Sequence, residues 1–168
     1  MSTTIKPTYG ASAAITSTNL QSLANDSTNL LAGWMSAVID NTSNLSIDEL
    51  ISLILKAGTS PTAGNSIEVW AWSVLDDTPT YPDTITGSEG TVTLTSANVK
   101  AAGAFKLAAV ITVDATSSRL YHVVFSLAQI FGGQMPRKWG LLVINGSGVA
   151  LASSGNVVSR MPMQLQNV

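Results

Sequence analysis

There is no cysteine among the 168 residues, and that one absence removes a disulfide framework, a zinc finger, an iron–sulfur site and a thiol nucleophile together. Charge is scarce as well. Only 11% of residues are charged, against about 25% in an ordinary globular chain, and eight Lys and Arg against ten Asp and Glu leave a net charge of -2. No basic surplus exists to neutralise phosphates, so no nucleic-acid partner is expected. Long apolar runs are missing too. Mean hydropathy is high at +0.30, yet the longest apolar stretches, near Leu50–Leu55 and Leu107–Val113, fall far short of the roughly 18 residues of a membrane helix, and no membrane partner is expected. Met1–Pro7 holds one Lys and no apolar core segment, which predicts that no secretory signal peptide is present.

What stands in for charge is hydroxyl: 21 Ser and 18 Thr. A weakly charged, Ser/Thr-rich exterior suits a chain covered by other subunits, because charged groups are depleted at the centres of interfaces. The length is that of one domain, large enough to bury its own core.

Residues 1–28 are rich in Thr, Ser and Ala without sustained amphipathic period, and read as an extended N-terminal arm whose order depends on neighbours. Residues 29–168 read as a single β domain. From Asn29 to Asp40 both alternating faces carry apolar groups, a strand covered on both sides. Asn44–Gly58 is ambiguous: Ser46-Ile47-Asp48-Glu49 has capping-box form and Gly58 follows Lys56, as in a short helix, while Ile47, Glu49, Ile51, Leu53 and Leu55 alternate as in a strand. Thr59–Asn65 is a loop. Ile67–Leu75 is the most secure strand, dense in β-branched and aromatic residues. A long loop runs from Asp76 to Gly90. Further short strands are expected at 104–113, 120–127, 139–145, 148–152 and 155–161, and Asn145-Gly146 predicts a tight hairpin. About eight strands, long Ser/Gly/Pro loops and no alternating helices predict an all-β antiparallel sandwich.

Little in this pattern points to chemistry. His122, the single histidine, sits inside a strand pattern and reads as a partly covered strand residue; no GxSxG elbow accompanies it. One His without Cys makes no transition-metal site. Asp76, Asp77 and Asp83 share an oxygen-rich loop and are weak calcium candidates, although their spacing matches no EF-hand and turn-forming Asp is the plainer reading. No metal or other cofactor is therefore expected. Two of Asp76, Asp77, Asp83 and Glu68 could serve a glycan hydrolase only if they faced each other across a cleft. Trp70 and Trp72 share one strand face and could stack on sugars, but a core or an interface uses such rings equally well. The candidate interface residues are Ile5, Pro7 and Tyr9 in the arm, with Trp70, Trp72 and Tyr81.

Several phrases occur in order: Asp40–Leu45 (DNTSNL), Gly58–Gly64 (GTSPTAG), Ile67–Trp72 (IEVWAW), Leu75–Thr78 (LDDT) with Tyr81–Asp83 (YPD), Phe131–Gly140 (FGGQMPRKWG) and Leu151–Asn156 (LASSGN). Across residues 27–161 they resemble small jelly-roll structural proteins of tailed bacteriophages that decorate or cement the capsid. At Asp76-Asp77-Thr78 the chain departs from the Asp-Gly turn of that pattern, which bears on loop shape alone. The resemblance implies a jelly-roll-like sandwich with Asn44–Gly58 extended, and a non-enzymatic virion protein made in the host cytoplasm. Its implied partners are the major capsid protein and itself, as a homotrimer at local three-fold positions. The arm would then contact the lattice, and deleting it would abolish attachment while leaving a folded oligomer. The alternative is a tail-associated or receptor-binding module that recognises host glycans through Trp70, Trp72 or the loop near Tyr81.

Overall fold

Alternation of side chains decides the fold. In Asp48–Lys56 the odd-numbered positions Glu49, Ile51, Leu53 and Leu55 are buried while Leu50, Ser52 and Ile54 between them are half-exposed, the period of two that makes a strand and not a helix. The computed structural model describes residues 4–167. Among them lie β1 (Ile5–Tyr9), β2 (Ala13–Ile15), β3 (Ala32–Met35), β4 (Ile39–Asp40), β5 (Asp48–Lys56), β6 (Ser66–Val74), β7 (Gly90–Thr93), α1 (Ala97–Ala101), β8 (Phe105–Thr112), β9 (Leu120–Ser126), α2 (Leu127–Ile130), β10 (Lys138–Asn145) and β11 (Val157–Asn167).

The strands form two antiparallel sheets, the arrangement of a β-sandwich. One runs β1-β11-β5-β9, with β2 also paired to β11; the other runs β7-β3-β10-β6-β8, with β4 also paired to β10. Between them lies the main core, built from Ile51, Leu53 and Leu55 on β5, Ile67, Val69 and Ala71 on β6, Trp139, Leu141 and Val143 on β10, and Val158 on β11. A second cluster lies on the far face of the six-stranded sheet, where Trp72, Leu142 and Ile144 meet Ile85, Leu94 and Phe105. All eight residues of β10 are buried as a result, and between Lys138 and Asn145 at its ends no polar side chain interrupts Trp139–Ile144. Among the described residues no such second layer covers the five-stranded sheet.

Eleven strands replace the eight expected, and the differences have local causes. The arm does not wait for neighbours: β1 and β2 pair with β11 of the same chain, while Ile15, Leu20 and Leu23 enter the main core. Scattered apolar residues at 15, 20 and 23 show no helical or strand period, so their burial left no pattern to read. β11 carries Pro162, which lacks a ladder donor. That proline sits where β1 gives way to β2, and Gly10 closes the gap by donating its N–H to the Pro162 carbonyl at 2.8 Å. The run 29–40 divides into β3 and β4 because the Ser36 hydroxyl accepts the Leu141 N–H at 2.9 Å, taking a donor that a strand carbonyl would otherwise receive.

Asn145-Gly146 is not a hairpin. Neither residue has positive φ, which a type I′ turn requires. Asn145 Oδ1 instead accepts the Ser147 N–H, while its Nδ2 donates to the carbonyls of Leu23 and Val149. The strand expected at 148–152 reduces to a single bridge between Ala57 and Leu151. The two short helices and β7 were not anticipated; Ser96 caps α1 by accepting the Asn98 N–H, and Ser126 caps α2 by accepting that of Gln129.

Candidate assembly interface

The uncovered face of the five-stranded sheet follows from register. Tyr9 pairs with Met163 and Pro7 with Leu165, Met161 with Leu50 and Val157 with Ile54, and Ile54 with His122. Because Glu49, Ile51, Leu53 and Leu55 point into the core, every one of these pairs points outward. The outward positions of an antiparallel sheet that met only water would be polar. Here they are mostly apolar, with exposures from 46% at Val157 through 55% at Val124 and 59% at Leu120 to 66% at Ile5. Isolated exposed apolar residues are ordinary, but a contiguous sheet of them marks an interaction surface.

Polar groups on this face are few and most are locally occupied. In its middle the Ser52 hydroxyl and His122 Nε2 lie 2.8 Å apart. This pair is not assembled for nucleophilic catalysis: no carboxylate bonds to His122 among the described residues, and Ser52 is paired in the ladder on both sides, to Ser159 and Val124, so its strand offers no free N–H groups to an oxyanion. The two charges that β5 presents on this face, Asp48 and Lys56, stand at its ends, while Glu49 points inward. Asp48 accepts from Ser126 Oγ at 2.7 Å and from the Ala128 N–H at 2.9 Å, tying α2 to the sheet. Lys56, at the other end, enters no ion pair among the described residues.

Of the interface residues expected from sequence, Ile5, Pro7 and Tyr9 fall on this face. Trp70, Trp72 and Tyr81 do not; they belong to the second cluster on the opposite sheet. Trp72 is fully buried and meets Tyr81 edge-on at 5.8 Å, so neither a partner nor a sugar can reach its ring. Trp70 lies under Lys100, whose Nζ is 5.2 Å from the ring centroid, and both donate to Glu68. Glu68 is thereby held by structure and faces none of Asp76, Asp77 and Asp83. Residues that sequence reasoning missed are Leu120, Val124, Val157 and Leu165. The available signal was the apolar residues on both alternating faces of 120–127 and the outward set Val157, Met161, Met163 and Leu165.

The weak calcium candidates do not converge. Asp83 accepts from the Thr95 hydroxyl and N–H at 2.6 and 2.8 Å, and these bonds hold its carboxyl below the usual range. Asp77 pairs with Arg137, and Asp76 is exposed. Among the described residues no three His, Cys, Asp or Glu gather as a metal site would need. A shallow hollow lined by Leu45, Leu75, Phe131, Met135 and Arg137 presents one charged group, already paired with Asp77.

No protein-family model matches the chain, and no curated protein is detectably similar to it.

Two carboxylates lie away from the face, Glu49 buried and Glu89 partly exposed. Burial pushes the Glu49 carboxyl up and the Arg160 guanidinium, 2.7 Å away, opposes that push without cancelling it. Burial would also raise Glu89, but hydrogen bonds from Trp34 Nε1 and from the backbone and side-chain nitrogens of Asn19 outweigh it and hold this carboxyl below its ordinary value.

Proposed function

We propose that the chain is a structural protein of a tailed-phage virion, a decoration or cement protein that binds between major capsid subunits and strengthens the shell as a homo-oligomer. One observation carries this reading: the solvated face of the five-stranded sheet is apolar where a solitary protein would be polar. The rest of the molecule agrees with a role in contact. Charge is sparse, hydroxyls are abundant, and Ser52 with His122, Asp77 with Arg137 and Asp83 with Thr95 are engaged in separate structural bonds. The likeness of the chain's phrases to small capsid-decorating proteins supplies the setting, and the setting explains the surface. A rigid shell offers a composite site only once its subunits have met, so mass action favours attachment to the finished lattice and stabilises that lattice in turn.

The test is reconstitution. Purified chain mixed with shells of the parent phage that lack it is expected to co-sediment at saturating, symmetric occupancy and to raise the temperature at which the shells rupture. Absence of binding at micromolar concentration overturns the proposal. The glycan-recognition alternative has no supporting observation: Trp72 is buried, Trp70 is half-buried beneath Lys100, and Tyr81, also half-buried, packs edge-on against Trp72.

A further inference from the structure

We propose that the uncovered face of the five-stranded sheet is the docking surface for a second copy of this chain, two copies packing face to face about a two-fold axis with β5 lying antiparallel over β5. This deepens the proposed function in one respect, the identity of the homo-oligomer, and it replaces the expected trimer with a pair.

Size is the first argument. Strands about 4.8 Å apart and rising about 3.3 Å per residue make the width β2-β11-β5-β9, at the length of β5, a patch roughly 20 Å by 30 Å, with β1 carrying on alongside β11 past the Asp48 end. Side chains standing from it raise the accessible area toward the roughly 800 Å² per partner of a standard stable interface. Chemistry is the second. The face is apolar and nearly uncharged, so its best complement is a surface of the same kind, and sheets packed face to face at about 10 Å are a normal solution. The Ser52–His122 pair near the middle is already hydrogen-bonded, which lowers the cost of removing it from water.

Charge selects the arrangement. Asp48 and Lys56 are the first and last residues of β5, and Ser52 is its midpoint. An axis lying across the strands brings Asp48 of one copy over Lys56 of the other at both ends. An axis lying along the strands would instead set Asp48 on Asp48 and Lys56 on Lys56, which repel. An isologous pair satisfies every contact twice.

Sedimentation of the intact chain across a concentration range tests this. The expected associated species has twice the 17.5 kDa of the chain. Val124→Lys and Val157→Glu, on different strands, both within the span of β5 and both exposed within one copy, should each weaken association at least tenfold while leaving the near-UV circular dichroism unchanged. Leu107→Lys, at an exposed apolar position on β8 of the other sheet, should not. Ser52→Cys, the only thiol in its chain, should cross-link copy to copy with a short bismaleimide. A chain that stays monomeric, associates to three times its mass, ignores both face variants, or associates without cross-linking at residue 52 overturns the pairing. A dimer that fails to bind shells overturns the proposed function and leaves the pairing standing, whereas a monomer that decorates shells does the reverse.

Discussion

The Glu49 side chain is 1% exposed and its ion-pair partner, Arg160, is 21% exposed; among the described residues the second carboxylate oxygen has no hydrogen-bond partner. A buried pair of this kind adds little net stability, yet removing one member leaves an uncompensated charge in the core. The sign with pH follows from the raised carboxyl. The folded state holds its proton more tightly than the unfolded state, so the contribution of Glu49 is fully favourable below its unfolded pKa and is lost as pH rises through its folded one. Arg160→Met should therefore cost about 3 kcal/mol or more at pH 7 and much less at pH 4, where the carboxyl takes up a proton. Chemical denaturation of both proteins at the two pH values reads the difference; an equal loss at both would show that the cost is packing and not charge. Glu89 titrates in the opposite sense. Its depressed carboxyl stabilises above the ordinary glutamate range, and that stabilisation goes as pH falls through the folded value.

At the scale of elements, β6 and β10 lie against each other with Gly140 opposite Trp72. A Cβ at Gly140 would stand 2.2 Å from the indole ring, so close approach and not backbone conformation requires glycine there. Gly140→Ala should cost about 1–3 kcal/mol by overpacking, and Trp72→Ala about 3–5 kcal/mol by opening the second cluster. Both losses should appear as lowered thermal midpoints. The element scale also shows what sequence could reveal. β6, β8, β9 and β10 were legible because β-branched and aromatic residues alternate or run continuously between clear turn signals. β5 was not legible from local signals, since Ser46–Glu49 offers a helix start that is overruled when Ile51, Leu53 and Leu55 all find places in the inter-sheet core. Asn145-Gly146 misled for a related reason: the Asn side chain is drawn to the carbonyls of Leu23 and Val149, distant or loop groups that no dipeptide rule contains. Of the interface, only Ile5, Pro7 and Tyr9 were legible. Leu120, Val124, Val157 and Leu165 become a surface only when register places three strands side by side.

For the whole molecule, the N-terminal 28 residues are where reading and structure part most widely, and their removal separates the two accounts. An arm that orders only on a lattice could be deleted without harm to the domain. In the structure, Leu20 is fully buried and Ile15 and Leu23 nearly so, and β1 and β2 cover one side of β11 from Val158 to Asn167. Each of the three apolar side chains is worth about 1.5–3 kcal/mol on burial, together comparable to the roughly 5–15 kcal/mol that holds a typical domain folded. The same deletion strips Asn145 of its Leu23 acceptor and Asn156 of Gln21, leaving one N–H of each buried side-chain amide without its partner. A chain beginning at residue 29 should therefore lack a cooperative thermal transition and aggregate through the bared edge of β11. A chain beginning at residue 11 keeps β2, Leu20 and Leu23, so it should fold with a lowered midpoint while losing Ile5, Pro7 and Tyr9 from the apolar face. Near-UV circular dichroism melts of both truncations decide the matter: a cooperative, near-native transition in the shorter chain would mean that the core closes without its first 28 residues and that they are an arm after all.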